Sequence, residues 1–404
     1  MGFGQGLSGL NAASQDLDVI GNNIANSGTV GFKSGAATFA DVFANSSVGL
    51  GVQVASVNQN FSAGTVTNTG NQFDMAIDGA NGLFVVQDPS GNTFYSRNGQ
   101  FHADKDNYIV NSQGQRLMGY DTTGNNLAPV KVPVGNVAPT ATSTASFTTN
   151  LDANAAVIDP AVTPFDITNS SSYTYQRSMT VYDSLGNAHQ LTQYFAKRAP
   201  SGTNSVWDVN YRLDGAVVGS PADGAQKLTF NSAGAIVTSP PTATVTIAAP
   251  GGAGSPAAPM SVAMDYSGST QFGSDFAANF HQNGYYSGEY ASMSIAGDGS
   301  IVANYTNGET QTLGTLALAN FNNLQGLKPV GGNAWAQTAD SGQPILGRPG
   351  SNGLASVKGQ AVEESNVDMS QELVKMIIAQ RTYQANAQTI KTQDQVMQTL
   401  ISGI

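Results

Sequence analysis

The chain has 404 residues, which predicts two or three domains because a single core seldom holds so many. Charged residues make up only 11%, under half of the roughly 25% typical of soluble domains, and the net charge of −11 argues against nucleic-acid or anionic-membrane binding. Cysteine is absent, which excludes disulfide and thiolate chemistry. The low charge predicts a neutral surface rich in Asn, Ser, Thr and Gln.

The first segment has the spacing of a helix. Between Phe3 and Ile24, apolar or small residues recur at steps of three and four, which draws one stripe down a helix of about 36 Å. No Lys or Arg precedes Lys33, and the apolar residues form no continuous run. We therefore expect neither a cleaved Sec-type signal peptide nor a membrane-spanning helix here.

After this helix the pattern changes to extended structure. The stretch "GNNIANSGTVGFKSG" clusters helix-stop and turn residues, and polar alternation up to about residue 72 favours an extended or hairpin connector. From Phe73 onward, short strands are separated by Asp-Gly, Asn-Gly and Gln-Gly turns, which predicts antiparallel pairing. A shift to Ala, Pro, Thr and Ser over residues 137–164 indicates a linker into a separate β domain. Crisp hairpins return near residue 285, so we infer an inserted domain.

The last segment predicts a second, longer helix from Met369 to Ile401. Apolar residues hold the three-four spacing throughout. The stripe is widened beyond a two-helix seam by Val374, Ile377, Val396 and Leu400. One interpretation is that the two terminal helices simply pair within one molecule. However, the N-terminal stripe is shorter and contains Gly6 and Gly21, so we expect it to leave part of the C-terminal stripe uncovered. Other copies of the chain could cover it, and a heterologous contact that does not close produces a helical polymer.

These residues also carry a family resemblance. "NAASQDLDVIGNNIANSGTVGFKSG" followed by "FADVF" resembles the N-terminal signature of bacterial flagellar axial proteins, the rod and hook components, and "EESNVDMSQELVKMIIAQRTYQANAQTIKTQDQVMQTL" resembles their C-terminal signature. The stretches "VYDSLGNAHQL" and "YTNGETQTLGTLALANF" are similar to the hook members. Rod members lack an insertion of this size, which favours the hook members. A distal rod or hook–filament junction protein remains the alternative within the family.

The resemblance implies a fold class and a domain order. It implies a mainly β, multidomain protein with α-helical termini: the two terminal helices form a coiled-coil-like inner domain, and of two antiparallel β domains the outer one is inserted into the inner one. The expected segments are an N-terminal inner-tube helix (1–27), a connector (28–71), a middle β domain in two parts (72–144 and 285–356), the inserted outer domain (145–284), and a second connector with the C-terminal inner-tube helix (357–404).

The resemblance also implies a function. The expected role is a structural subunit that polymerises into a curved helical tube with a central export channel, acting as a universal joint that transmits motor torque from rod to filament. The expected partners are other copies of the chain, the distal rod protein, the hook cap protein, the hook–filament junction protein and the type III export apparatus, with no nucleic acid and no membrane insertion. The expected location is the extracellular hook, reached without a cleaved signal peptide.

Two groups of residues are implied as assembly sites. Subunit contacts in the inner tube are expected at Leu7, Leu10, Leu17, Ile20, Ile24, Leu373, Met376, Ile377, Tyr383, Ile390, Met397 and Leu400. An assembly motif is expected at Asn22, Asn23, Asn26, Gly31, Phe32, Lys33, Asn366 and Gln380.

A secreted β-rich hydrolase is the non-structural alternative. The sequence contains no G-x-S-x-G, H-E-x-x-H or P-loop pattern, and His102, His189 and His281 lie far apart. These observations predict no catalytic residue, no metal site and no cofactor.

Two acidic pairs need separate interpretations. "DKDNYIV" begins like a calcium loop at Asp104 and Asp106 but lacks its later ligands and glycine, which favours a hairpin turn. Glu363 and Glu364 are interpreted as the solvated start of the last helix, where negative charge is favourable.

Overall fold

The computed structural model describes residues 3–42, 49–124, 126–218 and 226–402, and within them the chain forms two α-helices, two short 3-10 helices and 29 strands. The α-helices are α1 (Phe3–Ala25) and α2 (Met369–Ser402), so both predicted terminal helices are confirmed. At the start of α2, the Asp368 carboxylate accepts hydrogen bonds from the backbone N–H groups of Ser370 and Gln371, at 2.9 and 3.1 Å. This is the N-cap arrangement that satisfies the first-turn donors of a helix. Neither described helix is long and apolar enough to cross a membrane.

The two helices pack against each other in antiparallel orientation. A Cβ atom added at Gly6 would lie 3.2 Å from Ile390, and one at Gly9 would lie 2.7 Å from the side chain of Asn386. The small residues of α1 therefore let the helix axes approach closely. Because α1 has 23 residues and α2 has 34, about 16 Å of α2 has no counterpart along α1.

The chain divides into two compact units, the first comprising Met1–Val134, Ala291–Asn304 and Thr310–Ile404 and the second comprising Gly135–Tyr290 and Tyr305–Glu309. Its first ten strands are β1 (Gly35–Val42), β2 (Gly51–Gln59), β3 (Val66–Asn68), β4 (Met75–Asp78), β5 (Leu83–Gln87), β6 (Thr93–Ser96), β7 (His102–Ala103), β8 (Ile109–Val110), β9 (Arg116–Tyr120) and β10 (Leu127–Pro129).

The next ten strands belong to the second unit. They are β11 (Asn136–Val137), β12 (Thr144–Asn150), β13 (Tyr175–Tyr182), β14 (Ala188–Ser201), β15 (Asn204–Leu213), β16 (Ala216–Val217), β17 (Gln226–Phe230), β18 (Thr242–Ile247), β19 (Met260–Asp265) and β20 (Ala277–Gln282).

The last nine strands lead into α2. They are β21 (Gly288–Ile295), β22 (Ser300–Tyr305), β23 (Thr310–Leu316), β24 (Leu318–Asn320), β25 (Lys328–Gly331), β26 (Ala334–Ala336), β27 (Ile345–Gly347), β28 (Ser356–Gly359) and β29 (Ala361–Glu363).

In the first unit, β1 and β2 pair as an antiparallel two-stranded sheet within the stretch that the sequence predicted to be an extended or hairpin connector. The main sheet of this unit has the strand order β22-β23-β9-β5-β6-β26-β25, and two small sheets, β28-β4 and β29-β3, join the segments that precede and follow it. Its core contains Trp335, Tyr95 and Phe321 among other apolar side chains. The hairpin predicted at "DKDNYIV" is present as β7-β8, with the Asp104 carboxylate accepting backbone hydrogen bonds within the turn.

In the second unit, two sheets share one hydrophobic cluster. One has the order β18-β19-β12-β20, and the other has the order β13-β14-β15-β16 with β17 also on β15. The described strand pairs of this unit are antiparallel except β12 with β19, which is parallel, and an isolated bridge between Asn150 and Thr270 is also parallel. The prediction of a linker over residues 137–164 is wrong in part, because this stretch contains β12. Phe147 and Leu151 are fully buried there, since "ASFTTNL" alternates apolar and polar residues in spite of its Thr and Ala content.

Candidate assembly surface

One asparagine joins three elements where the helices meet the hairpin. Asn23 is buried near the end of α1, and its Oδ1 accepts a hydrogen bond of 2.9 Å from the backbone N–H of Gly35 in β1. Its Nδ2 donates to the Gly35 carbonyl at 2.8 Å and to Oε2 of Glu372 in α2 at 3.0 Å. Because every polar atom of this side chain is used, the contact fixes the angle at which both helices leave the hairpin.

A second asparagine ties the segment before α2 to the base of the hairpin. The Oδ1 of Asn366 accepts a hydrogen bond of 2.8 Å from the backbone N–H of Ser34, and its Nδ2 donates to the carbonyl of Asn60 at 2.7 Å. Its backbone N–H also faces the Phe32 carbonyl at 3.4 Å. Hydrogen bonds between the Asn366 side chain and backbone groups therefore hold the segment before α2 against the segment after α1.

A buried carboxylate lies between the connectors and the main sheet. Glu363 is fully buried; its Oε1 accepts from Nζ of Lys33 at 2.6 Å, and its Oε2 accepts from the Arg97 guanidinium at 3.0 Å. Oε1 also accepts from the backbone N–H of Gly64 at 2.8 Å. Burial lowers the pKa of both Lys33 and Arg97, and the nearby Glu363 charge opposes that shift. We name these three side chains, Lys33, Arg97 and Glu363, the ion hub.

The ion hub corrects one interpretation of the sequence. Glu363 is not part of a solvated helix start: it ends strand β29, five residues before the Asp368 N-cap, and it is fully buried. Only its neighbour Glu364 is exposed, where it accepts a hydrogen bond from Thr67. Arg97, Glu363 and Glu372 were missed as functional candidates. The only sequence signal for Arg97 and Glu363 was the low number of charged residues in the chain, because in such a chain each charged residue is a candidate for a specific role.

A glycine lets the connector approach the hub. Gly31 has a φ of +71°, and its N–H donates to the Glu363 carbonyl at 2.7 Å. A Cβ atom at this position would lie 2.5 Å from the backbone nitrogen of Asn98, so no other residue fits without moving the backbone. The glycine of the "GFK" motif is therefore required by close backbone packing.

Beyond these contacts, α2 exposes a broad apolar surface. Its exposed large hydrophobic residues are Met369, Leu373, Val374, Ile377, Ile378, Tyr383, Val396, Met397 and Ile401, with exposed fractions from 37% to 73%. The side of α2 that faces α1 is marked instead by Glu372, Ala379 and Asn386, which are seven residues apart. The apolar surface thus extends well beyond the seam with α1, as the sequence predicted.

The expected inner-tube residues fall into three groups within one chain. Leu7, Leu373, Ile377, Tyr383 and Met397 are exposed, and Leu10, Leu17, Ile24, Met376 and Ile390 are half-buried. Ile20 is buried, and the side chain of Leu400 lies outside the described residues.

The expected assembly-motif residues are mostly brought together at the connectors. Asn23, Gly31, Phe32, Lys33 and Asn366 converge there, as described above, whereas Asn22 and Asn26 bond to each other one turn apart at the end of α1, at 2.6 Å. Gln380 is exposed on α2 and lies away from this group.

The histidines do not form a site together. His189 is buried in the second unit between two aspartates, with Nδ1 2.7 Å from Asp214 and Nε2 3.4 Å from Asp183. Burial alone would lower the pKa of His189, but the hydrogen bonds to Asp214 and Asp183 leave it raised. In the part of the chain that the structure describes, no group of three His, Asp or Glu residues is placed to hold a metal ion.

Family profiles match four segments of the chain. The matches are "Flagella basal body rod protein" over residues 5–33, "Flagellar hook protein FlgE/F/G D1 domain" over 76–163, "Flagellar basal body protein FlaE D2 domain" over 150–285 and "Flagellar basal body rod FlgEFG protein C-terminal" over 358–403.

Individual relatives match from end to end. The chain is 45% identical over 412 residues to the flagellar hook protein FlgE of Escherichia coli K12, covering 100% of both chains. It is 31% identical to that of Borreliella burgdorferi, covering 98% of each. The crystal structure of Helicobacter pylori flagellar hook protein FlgE2 shares the fold, with a TM-score of 0.55 and 16% identity over 74% of this chain and 100% of that one. The chain therefore belongs to the flagellar hook protein family and is a structural subunit of the bacterial flagellar hook.

Proposed function

We propose that this subunit polymerises through α1 and α2 into the inner wall of a curved helical tube, which encloses an export channel and bends as a universal joint between rod and filament. The observation that carries the proposal is the apolar surface of α2 that α1 leaves uncovered. A structural subunit needs such a surface, whereas an enzyme acting as a dispersed monomer would be destabilised by it.

The energetics favour several neighbours for each helix. Nine large apolar side chains on α2 are about half exposed, so their complete burial would contribute on the order of 10 kcal/mol of transfer free energy. Association costs about 4–15 kcal/mol, so covering one side of the helix would give weak binding and covering several sides would give a stable polymer. We infer that the exposed sides of α2 meet different surfaces on neighbouring copies, because such heterologous contacts are the condition for an open helical assembly.

The outer surface suits repeated exchange of contacts. Only 11% of the residues are charged, so few ion pairs can lock neighbouring β units in one arrangement. Polar contacts in water contribute little individually and exchange easily. We infer that bending occurs between these outer units, while the apolar inner contacts and the ion hub hold under torque.

Further partners follow from the same role. We propose contacts with the distal rod protein at one end of the tube and with the cap and hook–filament junction proteins at the other. We also propose export by the flagellar type III apparatus and a purely structural role without catalysis.

Leu373→Asp tests the proposal. Leu373 is 45% exposed on α2, so a charge there should leave both units folded but prevent its burial between subunits, and tubes should be absent by electron microscopy at concentrations where the unmodified chain assembles. Val217→Asp is the matched control, since Val217 is 76% exposed in the second unit and far from α2 in sequence, and this variant should assemble normally. Normal tubes from Leu373→Asp would contradict the proposal.

A further inference from the structure

A groove runs between α1, α2 and the hairpin in the first unit. Its volume is about 470 Å³. The walls are mostly apolar or small, and they include Ala12 and Ala13 of α1, Phe39 and Val52 of the hairpin, and Ile378 and Ala379 of α2. Phe39 is 46% exposed and Ile378 is 59% exposed, so both leave apolar surface open to solvent at this groove.

One carboxylate lies in the wall of this groove. Asp16 of α1 lines it, and among the described residues no cation lies within ion-pair distance of Asp16. The nearby Lys375 ammonium is instead 2.6 Å from Glu372. Burial, and then the charge of Glu372, raise the pKa of Asp16, while the charge of Lys375 partly opposes that rise. The groove therefore offers an incompletely solvated negative charge with an apolar surround, which suits a cation on a long apolar stem.

Such a cation lies on the opposite side of α2. Ala379 faces α1, and Arg381 follows it by two residues, which places Arg381 about 200° around the helix. Arg381 is exposed and makes no ion pair within the described ranges. The exposed Ile377 lies one turn before it on the same side, so Ile377 and Arg381 form a ridge with an apolar part and a positive part. Arg381 points away from α1 and so is turned away from Asp16 of its own chain.

We propose that the Ile377–Arg381 ridge of a second copy of this chain seats in the groove, with its guanidinium paired to Asp16. The inference rests on the proposed function and names the contact that the polymer uses. Charge and polarity are complementary: an Arg stem and an Ile side chain meet an apolar wall, and the guanidinium meets its one carboxylate. Since the ridge and the groove lie on different sides of the same α2, every copy that receives a ridge also offers one. The contact can therefore repeat indefinitely.

Charge reversal tests the pairing. Asp16→Arg and Arg381→Asp should each raise the critical concentration for tube formation by about tenfold or more, because each places two like charges together at the contact. The double variant D16R/R381D should return it to within about threefold of the unmodified value, because opposite charges meet again at every interface. Asp18 is the matched control: it is exposed on α1 two residues further on, so D18R should assemble normally, and D18R/R381D should show no rescue.

Cross-linking gives a readout that does not depend on how well the charge variants fold. The chain has no cysteine, so D16C/R381C introduces a unique pair of thiols. A short bis-maleimide should convert polymers of this variant into a covalent ladder on a denaturing gel, should leave dispersed monomers unlinked, and should not link D18C/R381C polymers.

The outcomes separate this inference from the proposed function. If the unmodified chain forms no tubes, the proposed function fails and the inference fails with it. If the unmodified chain forms tubes while D16R also assembles normally, or the double variant is not rescued, or the cysteine pair gives no ladder, the inference alone is overturned. Rescue of D16R by Lys391→Asp in place of R381D would likewise overturn it, because Lys391, another exposed cation of α2, would then be the partner.

Discussion

Neutralising the buried carboxylate of the ion hub should destabilise the first unit and leave the second unchanged. Glu363→Gln keeps the size of the side chain but removes the charge that both Lys33 and Arg97 approach, at 2.6 and 3.0 Å. Both cations are at most 2% exposed, so water cannot replace the lost partner. Breaking a buried ion pair by removing one partner costs about 3–5 kcal/mol, and here one carboxylate serves two cations.

The expected shift is large enough to measure in urea. With a denaturant dependence of about 2 kcal/mol per molar, a loss of 3–5 kcal/mol lowers the midpoint of unfolding by about 1.5–2.5 M. Glu364→Gln is the matched control one residue away, because Glu364 is exposed and accepts a single hydrogen bond from Thr67. A surface change of this kind should stay within about 0.5 kcal/mol.

The two tryptophans allow each unit to be followed separately. The chain has only two: Trp335 in the core of the first unit and Trp207 in the core of the second. Fluorescence in a Trp207→Phe background therefore reports the first unit, and fluorescence in a Trp335→Phe background reports the second. Because a chain of two units need not unfold in one step, this separation is required for a meaningful midpoint.

The result that would refute the reasoning is specific. If Glu363→Gln lowers the first-unit midpoint no more than Glu364→Gln does, then the ion hub does not stabilise the junction. If it lowers both midpoints equally, its effect is not confined to the unit that contains it. The first result would also remove the ion hub from the contacts that we propose hold under torque.

Two further predictions concern the second unit. The pKa of His189 should lie above its ordinary value of about 6.5 in an NMR titration, and a pKa at or below that value would contradict the paired geometry. The stability that the His189 imidazolium contributes to this unit should be complete below about pH 6.5 and should decline as pH rises through the raised pKa. His189→Gln should abolish that pH dependence. Deletion of residues 145–283 should leave the first unit able to form tubes, with the unfolding midpoint that Trp335 reports nearly unchanged. The reason is that strands β12 and β20 pair Ala145 with Gln282, which brings the two cut ends together. Loss of the unfolding transition reported by Trp335 would show that the first unit depends on the deleted segment.

The helices and most hairpins could be predicted from the sequence because their signals are local. A three-four apolar spacing sets α1 and α2 whatever they pack against, and Gly-containing turns between alternating residues set the antiparallel strands. The same local reading failed over residues 137–164, where an Ala- and Thr-rich composition concealed the alternation of β12. Burial of Phe147 depends on strands more than a hundred residues away, which no local window includes.

The exposed apolar surface of α2 was determined by the sequence, since the widths and lengths of two stripes can be compared without knowing the fold. The connector junction was decided only by the tertiary structure. Lys33, Arg97 and Glu363 are up to 330 residues apart, and the same glutamate is a reasonable helix-start residue when only its neighbours are considered. The ion hub forms only because folding removes water from the Glu363 carboxylate and brings its two cationic partners within 3 Å. Both effects depend on the position of every segment around Glu363.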